Sequence, residues 1–68
     1  MNMQNRHVIN ALYYCLRGSR DVIQVLNNGA YVFAEYNEQT GETKWKRLLP
    51  AEQKKSIENW LTQHYPAN

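Results

Sequence analysis

Apolar positions recur along this 68-residue chain at two different periods, one helical and one alternating. In "NRHVINALYYCLRG", Val8, Ile9, Leu12, Cys15 and Leu16 fall at helical spacing and form one stripe, with Asn10, Tyr14 and Arg17 on the opposite side. Gly18 follows the last periodic residue, where a helix commonly stops, and Arg17 complements the dipole of a last turn. This spacing predicts a helix over residues 5–17.

The period then shortens. "DVIQVLNNGAYVFAEY" holds two β-rich runs around Asn28-Gly29, the preferred pair for a two-residue type I′ hairpin. With that turn Val25 faces Val32 and Ile23 faces Ala34. Ile23, Val25, Val32, Ala34 and Tyr36 then share one face; Val22, Gln24, Leu26, Tyr31, Phe33 and Glu35 share the other. A second hairpin follows, because Glu38-Gln39-Thr40-Gly41 suits a type I turn closed by a glycine in the left-handed region. Its register sets Tyr36 opposite Thr43, Glu35 opposite Lys44, Ala34 opposite Trp45 and Phe33 opposite Lys46. Strands are expected over 21–27, 30–37 and 42–48.

"LPAEQKKSIENWLTQHYP" returns to the helical period, predicting a second helix over 50–64. Pro50 fits the first helical position, Glu52 lies in the first turn and Pro66 marks the end. Gln53, Ile57, Trp60, Leu61 and His64 share a face. The expected architecture is α+β: a single domain, 1–68, in which a three-stranded antiparallel meander packs with two helices in two layers, in the order α-β-β-β-α.

These faces bear on "GETKWKRLLP", where Trp45 stands among Lys44, Lys46 and Arg47. A strand alternates its side chains, so Trp45 points with Ile23, Val25 and Ala34 into the core while its lysine neighbours point the other way. The opposite face gathers Tyr31, Phe33, Gln24, Lys44 and Lys46, a surface suited to a protein partner or to stacked bases with phosphates held beside them. Arg47, Lys54 and Lys55 form a second basic group, which solvation alone also explains. The order helix-strand-strand-strand-helix, with lysines early in the second helix, is similar in layout to double-stranded RNA-binding domains. "EQKKSIENWL" departs from the alanine-rich pattern of that family, and the tight first turn departs from its groove-reaching loop.

Composition narrows the class. The chain is 43% hydrophobic and 21% charged, which suits a globular domain, and a net charge of +2 permits a nucleic-acid partner without calling for one. One cysteine, Cys15, excludes an intramolecular disulfide, and no apolar run approaches a membrane span. A cytoplasmic, untargeted protein with no membrane partner is expected.

Candidate chemistry is sparse. Cys15 lies on an apolar stripe, His7 points off it and His64 sits near the end of the second helix. Their scatter lacks zinc-ligand spacing. Asp21, Glu35, Glu38, Glu42, Glu52 and Glu58 form no pair, and no phosphate-binding glycine motif occurs. The reading is a binding module, not an enzyme, with no cofactor and no metal. It is expected to act by protein–protein contact, with another protein or with itself as a homodimer through the sheet face. The alternative is an RNA or single-stranded DNA-binding domain using the aromatic and basic sheet face with Lys54 and Lys55.

Overall fold

The computed structural model describes residues 6–66. The order is β1 (His7–Val8), β2 (Tyr13–Ser19), β3 (Val22–Asn27), β4 (Val32–Asn37), β5 (Thr43–Trp45) and α1 (Ala51–His64). The five strands form one antiparallel meander, each beside its neighbour in sequence, and the helix lies on one face. The class is α+β, but with five strands and one helix where three and two were expected.

The segment predicted as the first helix is β1, a turn and β2; its first residue, Asn5, lies outside the described residues. Two causes are local. Asn10 Oδ1 accepts from the backbone N–H groups of Leu12 (2.8 Å) and Tyr13 (3.0 Å), an Asx turn that reverses the chain. Tyr13, Tyr14 and Cys15 are all buried in succession, which a strand covered on both faces allows and a one-sided helical stripe does not. The third cause is long-range: β2 pairs with β3 from Tyr13↔Asn27 to Arg17↔Ile23, satisfying backbone groups along its length. Gly18 is therefore no helix stop. It sits at a β-bulge, where the side chain of Gln24 crosses so closely that an added Cβ would stand 2.9 Å from Gln24 Cγ.

The β3–β4 hairpin also differs from its expected form. Asn28 and Gly29 do not form a type I′ turn; the residue with positive φ is Ala30, at 66°. Ala30 N–H donates to Asn27 O at 2.8 Å, and Asn27 Oδ1 accepts from Gly29 N–H and Tyr31 N–H. The side-chain bonds of Asn27 hold this longer turn and so outweigh the preference of Asn-Gly for a two-residue one. A further irregularity between Val25 and Leu26 completes the slip, so Val25 pairs with Ala34 and Ile23 with Tyr36. Ile23, Val25, Ala34 and Tyr36 keep a common face because the slip between them totals two residues. Val32 does not: it pairs with Leu26 and leaves the core face.

The β4–β5 hairpin matches its predicted register, with Ala34↔Trp45, Glu35↔Lys44 and Tyr36↔Thr43, and Lys46 N–H donates to Phe33 O. Gly41 has φ 77°, the left-handed glycine that the turn requires.

Two rows of side chains face the helix. His7, Cys15, Val25, Ala34 and Trp45 make one row across all five strands, and Arg17, Ile23, Tyr36 and Thr43 make the next. Ile57 and Leu61, one turn apart on α1, pack into the cluster of Tyr13, Cys15, Ile23, Val25, Ala34 and Tyr36. Pro50 caps the helix from outside, with ψ 147°, instead of occupying its first position. Tyr65 N–H closes the other end on Leu61 O. No helix of the described residues is long and apolar enough to cross a membrane.

Candidate functional site

With one helix on one face, the outer face of the sheet carries no second layer among the described residues. Its composition follows from the registers. Val8, Tyr14, Leu26 and Val32 are successive partners across β1 to β4, an apolar row perpendicular to the strands. Leu16, Gln24, Glu35 and Lys44 form the neighbouring row, polar over its last three members. The Arg6 guanidinium carbon lies 4.1 Å from the Tyr14 ring centroid, and Tyr14 and Leu26 are buried. Val8 stays 65% exposed at one margin.

The residues singled out from sequence divide between two places. Gln24 and Lys44 do lie on the outer face, with Glu35 between them. Lys46 also turns toward Glu35, at 3.8 Å. Tyr31, Phe33 and Arg47 gather instead at the end of the sheet where the β3–β4 turn and the segment after β5 meet. There the Arg47 guanidinium carbon stands 5.1 Å from the Tyr31 ring centroid and 5.9 Å from that of Phe33. Phe33 departs from its expected position on the open face. It packs against the helix-side cluster, edge to face with Tyr13 at 5.3 Å, because the irregularity beside it turns its side chain.

Lys54 and Lys55 do not form one patch with Arg47. The Lys54 ammonium lies 5.8 Å from the Trp45 ring centroid, and Lys55 points to solvent from α1. Trp45 faces the helix as predicted, half-buried at the margin of the core, with its indole N–H donating to Glu58 Oε2 at 2.9 Å.

Sequence reasoning missed Val8, Tyr14, Leu16 and Val32 as outer-face residues. The first three were assigned to a helix, and Val32 to the core by the two-residue turn. A signal was present: Tyr13 and Cys15 against Tyr14 and Leu16 alternate as two apolar pairs, which is strand periodicity with both faces covered.

Shallow recesses mark the surface. One of about 460 Å³ lies between β5 and α1, lined by Thr43, Lys44, Glu58, Asn59 and Thr62 among others. Another of about 580 Å³ is lined by Val32, Phe33, Lys46, Arg47 and Leu48. Neither encloses a set of acids and bases in contact.

The titratable groups under the helix are held neutral. Cys15 is fully buried, with Sγ 3.9 Å from Tyr65 Oη; burial pushes its thiol up, only partly opposed by that contact. Burial chiefly, with Cys15 beside it, pushes the Tyr65 hydroxyl up to about 12. Tyr36 Oη donates to Tyr65 O, and His7 meets the Tyr65 ring edge-on at 6.3 Å. These contacts fasten the end of α1 to β1, β2 and β4. His64 shares its helix face with Ile57 and Leu61 but is exposed, and stacks on Trp60 with centroids 3.8 Å apart. Among the described residues no three of His, Cys, Asp and Glu stand together as metal ligands.

No protein-family model matches this chain, and no curated protein or solved structure matches it.

Proposed function

We propose that this chain is a non-catalytic binding module acting by protein–protein contact through the outer sheet face, with a second copy of itself as the partner. The observation that carries this reading is the apolar row Val8, Tyr14, Leu26 and Val32, which crosses four strands on the side away from α1. Tyr14 and Leu26, in the middle of the row, are already buried within the chain, so what the row offers a partner is Val8, 65% exposed, and the half-buried Val32 at its two ends. The row spans about 15 Å at ~4.8 Å per strand.

Self-association is favoured by shape and charge. The molecule measures 36 × 30 × 18 Å, so its broad side is large enough for the ~800 Å² per partner of a standard interface. The polar row holds both signs, Glu35 beside Lys44 and Lys46, so one surface can complement a copy of itself. Edge pairing is disfavoured: β1 is two residues long, and β5 is three residues long and bears Lys44, with Lys46 just beyond.

Sedimentation equilibrium at micromolar to submillimolar concentration tests the proposal. The wild type should sediment at twice the mass of one chain, and Val8→Arg, at an already exposed position, should shift it to one mass with an unchanged melting temperature. A wild type that stays at one mass throughout would exclude self-association through this face.

A further inference from the structure

The end of the sheet where Tyr31 and Arg47 meet adjoins the apolar row at Val32, and its chemistry is different. Its recess has an apolar floor, Val32, Phe33 and Leu48, and a basic wall, Lys46 and Arg47. Leu48 is 95% exposed and Tyr31 58% exposed, so both present carbon surface to whatever enters. No carboxylate lines it. Lys46 is engaged only at 3.8 Å by Glu35, and Arg47 takes part in no salt bridge among the described residues.

We infer that this recess binds single-stranded nucleic acid, one base resting on the floor beside Tyr31 and Arg47 and the flanking phosphates meeting Lys46 and Arg47. Three features select this ligand. An unpaired base offers a flat π-face of the kind that a guanidinium over Tyr31 and Phe33 already presents. Arg47 has no salt-bridge partner among the described residues and Lys46 has only Glu35 at 3.8 Å, outside the recess, so the wall complements a phosphate chain. The floor is open and apolar, which suits an unstacked base; in a duplex the base faces are stacked away and only the edges and phosphates are offered. An acidic peptide would satisfy the wall but leave Phe33, Leu48 and Tyr31 unused.

Fluorescence anisotropy with labelled oligouridine and oligothymidine, titrated with the full chain over a range of salt, tests the inference. Binding should be tightest at low salt, and Lys46→Ala with Arg47→Ala should flatten the slope of log K against log salt by about 1.4, at ~0.7 per phosphate contact in a single strand. Tyr31→Ala should weaken binding by about tenfold while leaving that slope unchanged, because it removes stacking and no charge. Arg47→Lys should behave like Tyr31→Ala: charge kept, planar stacking lost. All three positions are exposed, so each variant should melt like the wild type. The inference is overturned if no binding occurs at low salt, or if Tyr31→Ala binds as well as the wild type. It is also overturned if a duplex or a polyglutamate peptide competes as well as the unlabelled single strand, which would leave only unspecific attraction between charges.

Discussion

The indole N–H of Trp45 on β5 donates to Glu58 Oε2 on α1 at 2.9 Å, a charge-assisted bond thirteen residues apart in sequence that ties the last strand to the helix. β5 has only three residues and pairs with β4 alone, so this bond and the packing of Trp45 hold the edge of the sheet under the helix. Glu58→Ala should cost about 1 kcal/mol, the bond being partly open to solvent. Trp45→Ala should cost about 3 kcal/mol, since packing goes with it. In a double-mutant cycle by urea unfolding the two changes should be less than additive. Strict additivity would mean the bond contributes nothing.

Ala30 occupies the left-handed position of the β3–β4 turn, which glycine normally fills, while Gly29 beside it has no positive φ. A Cβ at that φ costs about 1–2 kcal/mol, and the freer unfolded chain of a glycine offsets about 0.4–1 kcal/mol of that, so Ala30→Gly should stabilise the fold by about 0.5–1 kcal/mol. Gly41→Ala, at φ 77°, should destabilise by a similar amount. Thermal melts of the two variants should therefore move in opposite directions. If Gly29→Ala proves the costly change instead, the two-residue turn is the correct one.

Ile57 and Leu61 are the helix residues fully buried against the sheet. Truncating either to alanine should cost about 2–5 kcal/mol, which for so small a domain approaches the whole of its stability. The exposed Val8 and Leu48 should tolerate alanine within about 0.5 kcal/mol. This contrast, read by denaturant midpoints, separates the face the helix covers from the face left to a partner.

How far the sequence predicted this arrangement depended on whether the deciding interactions were local. Gly41 and the residues around it set the β4–β5 register by turn chemistry alone, and that register agrees pair for pair. The C-terminal helix was legible from its 3.6-residue spacing and its bounding prolines. The segment from Val8 to Leu16 was not, because a run apolar on both sides satisfies either period, and its choice of strand is made by pairing with β3. Losing that assignment hid the apolar half of the outer face and, with it, the contrast between the two faces. Tyr31 and Phe33 were expected on the open face with Gln24, Lys44 and Lys46, and Arg47 in a separate basic group; instead Tyr31, Phe33 and Arg47 come together at the end of the sheet, because the slip at Val25 and Leu26 moves Phe33 off the open face. A bulge of that kind leaves no mark in a sequence.

Tyr65 supplies a prediction in pH. Its hydroxyl lies against Cys15 under the end of the helix, and burial raises its pKa to about 12 from an unfolded value near 10. The folded chain therefore resists losing this proton more than the unfolded chain does. The stabilisation is fully present below about pH 10 and is lost as pH rises from there through about 12, where the unfolded state gives up the proton first. Cys15 and Tyr36, both raised by burial, act in the same direction; Arg17 and Glu38 are the charged groups beside them. Tyr65→Phe keeps the ring against His7 and Tyr36 and removes the ionisable group. Its melting temperature should fall less steeply than that of the wild type across this alkaline range, and the tyrosinate absorbance of the folded protein should lose its latest-titrating component. Parallel alkaline limbs for the two proteins would show that the Tyr65 hydroxyl titrates as an ordinary phenol and that the helix end is not packed over it.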